Sequence, residues 1–469
     1  MKPTFFFYDL ETSGLKPSEA RIMQFAGQRT DMKLNPIGDP VNVLIKLTPD
    51  TLPDPDAVLL TGITPQKTLE EGVTEAEFLK LFYKEVASPA TIFVGFNNVR
   101  FDDEFIRYTN YRNFYDPYAW TWQDGRSRWD ILDLVRMTRA LRPDGINWPF
   151  KESKPINRLE ELTKANGLAH DAAHDALSDV QATIAVAKLI LETQPKLFDY
   201  LLKLRTKAKV ADLINKQRPF VYTSNHYPAE YLHTTLVSPL VAHPDGGAYL
   251  VYNLRNDPKP YLSMSPASLV EAWQYNEDPT VLRLPIKTLK FNRVPAVAPL
   301  SVIDKSTELR LGIDLSVIQA NHQLLVENKT AFSKNLLEAL SIMNKKREDL
   351  RVSLLPEADY DLYGGFLDNL DVNLFKEIHA TSPDNLNAFL LKLNDKRLKS
   401  LLPLYKARNF PESLNGSEKL DYQEFCKSRI SAEKVSKYRE RMNELYEQSK
   451  NQRDRALLDE LKAYLEMVL

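Results

Sequence analysis

Asp9 and Glu11 stand two positions apart in the apolar stretch TFFFYDLETSG. Side chains of an extended strand alternate between its faces, so this spacing puts both carboxylates on one face. Phe5, Phe6 and Phe7 leave no Lys or Arg beside them in sequence to neutralise the pair, and burying like charges without a partner is very costly. A divalent cation bound through carboxylate oxygens answers that cost. Taken alone, the pair reads either as metal ligands or as a strand end that meets solvent.

Two further acids and a histidine extend the set. Asp102 follows the apolar run TIFVGFNN, which predicts a strand feeding a helix that begins near Phe101. Asp179 lies in HDALSDVQATIAVAKLILE, whose apolar spacing is helical. Four acids from separated segments can converge on two Mg2+ ions about 4 Å apart, one activating a water and the other stabilising the leaving oxygen of a phosphodiester. His174 precedes Asp179 by five positions. At helical geometry that spacing turns two side chains about 140° apart, which assigns the imidazole to the loop and the carboxylate to the helix. An imidazole near neutral pKa suits removal of the water's proton. His170, four residues earlier, is the rival and reads as structural.

Elements must bring these residues together. The pattern predicts strands over 4–10, 21–30 and 41–48, a helix over 75–87, a strand over 91–96, and helices over 101–110, 130–141, 158–166 and 176–192. The sum is a mixed sheet flanked by helices. Beyond Pro195 the composition shifts, with a hairpin around Asp245-Gly246-Gly247 and a short helix capped by Ser265 with Pro266 in its first turn. Residues 315–346 and 370–469 are helical and amphipathic, which predicts an all-α C-terminal domain. The expected fold class is therefore multidomain α/β, with boundaries at 1–193, 194–350 and 351–469.

Composition narrows the class. A chain of 469 residues, 43% apolar and 26% charged, suggests about three globular domains. The single cysteine, Cys426, excludes an intramolecular disulfide and a multi-cysteine zinc site, and fits a reducing cytosol. A strand beginning at Thr4 leaves no room for a signal peptide, and no 18-residue apolar run could span a membrane, so a cytoplasmic location is expected. Neither a G-x-x-x-x-G-K-[ST] loop nor H-E-x-x-H occurs, so nucleotide-driven motor action and zinc proteolysis lack support.

A net charge of −2 means that affinity for a polyanion must come from a local groove. Lys203 to Arg218 and Lys396 to Arg408 are the basic segments, read either as groove walls or as solvated helix faces. In YRNFYDPYAWTWQDGRSRW, seven of nineteen residues are aromatic and three are Arg, which suits unstacked bases and a phosphate backbone as well as it suits core packing. Arg107, Tyr118, Trp122, Arg128 and Arg136 are the favoured strand contacts.

The D-x-E-T-x-G of Asp9 to Gly14, the L-T-G-I-T of Leu60 to Thr64, the N-N-V-R-F-D ending at Asp102 and the H-x-x-x-x-D of His174 to Asp179 resemble the DEDDh 3′→5′ exonucleases in order and spacing. Further blocks resemble one branch of that family: Tyr111 to Trp120, Ala140 to Pro149, Leu162 to Leu168 and Tyr405 to Leu414. The resemblance is dense to about residue 193 and sparse between about 195 and 350. It implies a ribonuclease-H-like nuclease core and a small SH3-like module. It also implies Mg2+-dependent, processive 3′→5′ degradation of single-stranded DNA to 5′-mononucleotides in repair and recombination, with Mn2+ able to substitute. Asp9, Glu11 and Asp179 would hold the metal nearer the water, Asp9 and Asp102 the second metal, with His174 as base. Glu11 and Arg158 would meet the substrate, although Arg158 also reads as the exposed side of helix RLEELTKA. The implied partner is the acidic C-terminal tail of single-stranded DNA-binding protein, with Arg142 as one contact, and the implied state is a monomer. An exoribonuclease of the same superfamily and a non-catalytic nucleic-acid-binding or proofreading scaffold are the alternatives, and the intact acid set argues against silence.

Overall fold

The computed structural model describes residues 2–170, 175–274, 278, 282–354 and 357–469. The chain divides into two compact units, Met1–Ser127 with His170–Gln181 and Pro356–Leu469, and Arg128–Ala169 with Ala182–Leu355.

The first unit is built on strands β1 (Thr4–Thr12), β2 (Ile22–Thr30), β3 (Val41–Leu44) and β4 (Thr91–Gly95), ordered β3-β2-β1-β4, and β5 begins at its last residue, Ser127. β1 runs antiparallel to β2 and parallel to β4. As a central strand it is covered on both faces, which explains its nearly continuous apolar run. Phe5 and Phe7 are fully buried on one side, while Phe6, Tyr8 and Leu10 join Phe25, Phe93 and Trp120 in a core on the other. β3 ends at Leu44, four residues short of the expected strand, and Ile45 makes only an isolated bridge to Val73. The helix expected over 75–87 is α-helical only for Glu75–Leu81, behind a capping box of Thr74 and Glu77. It continues as a wider π-turn, Phe82–Val86, that sets the Phe82 ring against Phe25 and Phe93.

The C-terminal helices belong to this same unit. Leu362, Phe375, Phe389, Leu401 and Tyr405 form one apolar cluster with Tyr108, Tyr111 and Phe114 from the N-terminal part of the chain, and Ile430, Leu458 and Leu461 form another with Val58. Between these segments lies a buried ion network. Arg408 Nη2 reaches Asp359 Oδ2 at 2.5 Å and Asp50 Oδ2 at 2.8 Å, Arg429 Nη1 lies 3.2 Å from Asp50, and Arg21 Nη2 lies 3.4 Å from Asp359. Burial alone would raise both aspartates. Arg408, Arg21 and Arg429 outweigh it and hold them well below the usual carboxylate range.

The second unit contains the hairpin β6 (Phe150–Lys151) and β7 (Lys154–Pro155), and an antiparallel sheet of β8 (Phe220–Thr223), β9 (Thr234–Ala242), β10 (Ala248–Asn253), β11 (Ile286–Lys290) and β12 (Ala296–Pro299), ordered β11-β10-β9-β8-β12. The turn between β9 and β10 uses Gly246 and Gly247, both with left-handed φ of 73° and 61°. Ser265 caps the helix Pro266–Trp273 by accepting from Ser268 N. Among the described residues no helix is long and apolar enough to cross a membrane.

Candidate active site

Each acid is delivered by the end of an element. Asp9 and Glu11 lie on one face near the C-terminal end of β1, opposite Ala26 and Gln24 of β2, and a bulge interrupts the register between Glu11 and Thr12. Asp179 sits in the first turn of the helix Ala176–Thr193. One carboxylate oxygen from each of Asp9, Glu11 and Asp179 lies within 4.8 Å of the others. Asp102 opens the helix Asp102–Arg112 behind β4, where the helix dipole favours an acid. Its charge acts on both Asp9 and Glu11. Burial first, then Asp102, Glu11 and Asp179, push Asp9 well above the ordinary carboxylate range. Burial, followed by Asp179 and Asp102, pushes Glu11 up to about 8. So many crowded acids cannot all ionise alone. Hard oxygen donors, half-buried or buried and mutually repelling, fit a divalent cation.

Two more side chains enter this cluster. Asp175 adds to the repulsion felt by Asp9 and Glu11, and its Oδ2 accepts from Ser178 N at 3.0 Å at the start of the helix. Its position four residues before Asp179 in HDALSD was the available signal, and the sequence reading passed over it. His170 Nε2 lies 2.6 Å from Asp179 Oδ1. Such a bond orients a ligand carboxylate. His174, the expected base, lies outside the described residues.

The expected strand contacts separate by exposure. In the first unit Trp122 is 62% exposed, whereas Trp120 is fully buried with its Nε1 donating to Pro117 O at 3.2 Å. The Arg107 guanidinium lies over the Tyr118 ring and pairs with Glu104 at 2.6 Å. In the second unit Arg128 donates to Asn292 O at 2.7 Å and Arg136 to Asp133 Oδ1 at 2.8 Å, and both are largely buried. Arg158 stands immediately before the helix Leu159–Ala165 with its side chain 79% exposed. The C-terminal basic segment does not form the open groove wall that its composition allowed. Lys406 is paired with Glu418 at 2.7 Å, Arg408 belongs to the buried network and Arg397 grips Asp395 at 2.6 Å, which leaves Lys396 and Lys399 exposed.

A separate cavity of about 510 Å³ in the second unit is lined by Arg142, Lys196, Leu197, Tyr200 and Val302, among others. Arg142 is held at its rim by donating to Leu141 O at 2.6 Å and Val302 O at 3.1 Å. The lining thus pairs two cations with apolar walls.

A mixed sheet whose central strand ends in an acid cluster suits metal-dependent phosphodiester hydrolysis, and the matches to known proteins make the class a nuclease of the exonuclease type. The family model "Exonuclease" matches residues 6–187, "Exonuclease I SH3-like domain" matches 205–341 and "Exonuclease I C-terminal domain" matches 356–468. The chain is 39% identical to exodeoxyribonuclease I of Escherichia coli (strain K12), with 99% of this chain and 98% of that one covered. The zinc-bound form of an E. coli ExoI–ssDNA complex superposes with a TM-score of 0.93 at 37% identity, all of both chains being covered. An ExoI/SSB-Ct complex gives 0.92 at the same identity and coverage. The chain belongs to the exodeoxyribonuclease I family.

Proposed function

We propose that this protein is an Mg2+-dependent exonuclease that degrades single-stranded DNA processively from the 3′ end to 5′-mononucleotides, in DNA repair and recombination. The observation that carries the reading is the convergence of Asp9, Glu11 and Asp179 within 4.8 Å in a chain of this family. Two bound Mg2+ ions, or Mn2+ in their place, would supply Lewis-acid activation of the attacking water and of the leaving 3′ oxygen. Asp9, Glu11 and Asp179 would hold the ion on the water side, and Asp9 with Asp102 the second. His174 removes the water's proton. Glu11 and Arg158 bind the scissile end, and Arg107, Tyr118, Trp122, Arg128 and Arg136 guide the strand. The division of labour follows the nuclease segment 1–193, the SH3-like segment 194–350 and the helical segment 351–469. The working form is a cytoplasmic monomer.

For the acidic tail of single-stranded DNA-binding protein, the cavity at Arg142 is the docking site in this reading. Arg142 and Lys196 offer charge to carboxylates, while Leu197 and Tyr200 offer apolar walls. Support comes from the relative solved as an ExoI/SSB-Ct complex.

The deciding experiment follows a 5′-labelled single-stranded oligodeoxynucleotide on a gel, with Mg2+ and with excess chelator. Phosphorothioates at the 3′ end should protect it and the same block at the 5′ end should not. Cleavage in chelator, or protection from the 5′ end, would overturn the reading, and faster cleavage of a matched RNA would replace it with an exoribonuclease.

A further inference from the structure

On β1 the residue before Asp9 faces the other way. The Tyr8 ring packs in the core against Phe25, Phe93 and Trp120, with centroids 6.1, 6.2 and 6.4 Å away. Its hydroxyl, deep in that core, donates to Asp103 Oδ1. Asn98 completes the arrangement, its Nδ2 donating to the Tyr8 hydroxyl at 3.4 Å and its carbonyl accepting from Asp103 N at 2.9 Å. Tyr8 is 2% exposed, and Asn98 and Asp103 are fully buried. The packing here tolerates no Cβ at Gly95, which would lie 2.7 Å from Asn98 Cβ and 3.0 Å from the Tyr8 carbonyl oxygen.

The neighbours of this pair matter. Asp103 follows Asp102 in the first turn of its helix, and Tyr8 precedes Asp9 on β1. Successive side chains alternate across a strand and turn about 100° around a helix. The Tyr8–Asp103 hydrogen bond therefore joins, away from the acid cluster, the two backbones that carry Asp9 and Asp102.

We propose that Tyr8 and Asp103 are a positioning pair that fixes the separation of Asp9 and Asp102, and through it the affinity of the site for divalent cations. The inference rests on the reading of Asp9 and Asp102 as ligands. The hydroxyl also engages a buried carboxylate beside an already crowded cluster, and a hydrogen bond to a charged group is among the stronger ones. Without the hydroxyl, Asp103 and the first helical turn lose one tie to β1, while every ligand oxygen remains in the chain.

Tyr8→Phe in the full chain isolates this hydroxyl and keeps the ring in the core. Calorimetric titration with MgCl2 should show affinity lower by about 10- to 100-fold, the usual effect of losing a group that orients metal ligands. The Mg2+ concentration for half-maximal cleavage should rise by a similar factor, with KM for a single-stranded oligodeoxynucleotide unchanged. Asp103→Asn, whose amide oxygen still accepts from Tyr8, should retain more Mg2+ affinity than Asp103→Ala. Wild-type Mg2+ affinity in Tyr8→Phe would overturn the proposal, and so would a raised KM and lowered melting temperature with the Mg2+ titration unmoved. A wild-type protein that binds no Mg2+ would instead overturn the assignment of the acids as ligands.

Discussion

Glu11 is raised to about 8 because it shares a buried site with Asp179, Asp102 and Asp175. Its ordinary value is 4.5, so between these two values the folded protein holds a proton that the unfolded chain releases. In the metal-free protein this group's contribution to stability is full below about 4.5 and is lost as pH rises toward about 8. Mg2+ must displace that proton. Binding at pH 7 should therefore release protons and tighten as pH rises toward 8, which calorimetry in buffers of different ionisation enthalpy reads directly. A buffer-independent enthalpy would contradict the assignment of Glu11 as a ligand. Asp9→Ala and Asp179→Ala should abolish both cleavage and Mg2+ binding. His174→Ala should slow cleavage by about 10²- to 10⁴-fold yet still bind DNA and metal. His170→Ala, which removes a partner of Asp179, should fall between it and the wild type.

Two tryptophans separated by one residue test the element scale. The short 3-10 turns Ala119–Thr121 and Gln123–Gly125 place Trp120 in the core beneath Phe93, with centroids 4.9 Å apart, and leave Trp122 outside. Trp122→Ala should leave the melting temperature unchanged and weaken single-strand binding by about 1–3 kcal/mol, the range for one stacked base, as read by fluorescence anisotropy. Trp120→Ala should instead cost about 3–5 kcal/mol of stability in denaturant unfolding. Equal binding by wild type and Trp122→Ala would remove this ring from the strand path.

The C-terminal helices are part of the body that holds the acid cluster. A chain ending near Gln194 would expose Val58, Tyr108, Tyr111 and Phe114, which those helices cover, and strand Asp50 without Arg408 and Arg429. Such a fragment should be unfolded or aggregated, so processivity must be tested on the full chain, by adding excess unlabelled DNA after binding. Asp359→Ala should cost about 3–5 kcal/mol, because it leaves the buried guanidinium groups of Arg21, Arg408 and Arg429 to share Asp50. Asp359 is held below its ordinary value of 3.8. Its stabilising contribution is therefore present above about 3.8 and is lost as pH falls toward its lowered folded value. Thermal melts should show wild type and Asp359→Ala far apart at pH 7 and converging below about pH 4. A constant gap would deny the network its role.

The acid set was legible from the chain because each member is announced within a few residues. The two-residue spacing of Asp9 and Glu11 fixes a face, the apolar run before Asp102 ends in a helix start, and the helical period carries Asp179. Strand β1, its neighbours and the helices Asp102–Arg112, Ile131–Leu141, Leu159–Ala165 and Ala176–Thr193 follow from the same local periodicity. The fate of the cations was not legible, because it depends on partners distant in sequence. Arg408 looks like a groove residue beside Lys406, yet Asp50, 358 positions away, draws it into the core. The same holds for Tyr8 against Asp103, 95 positions apart, and for Trp120, which Phe93 and Tyr8 draw into the core while Trp122 stays outside. Sequence determines which groups can ionise and which face of an element they occupy. Only the tertiary structure decides which of them are desolvated together, since that depends on which surfaces meet.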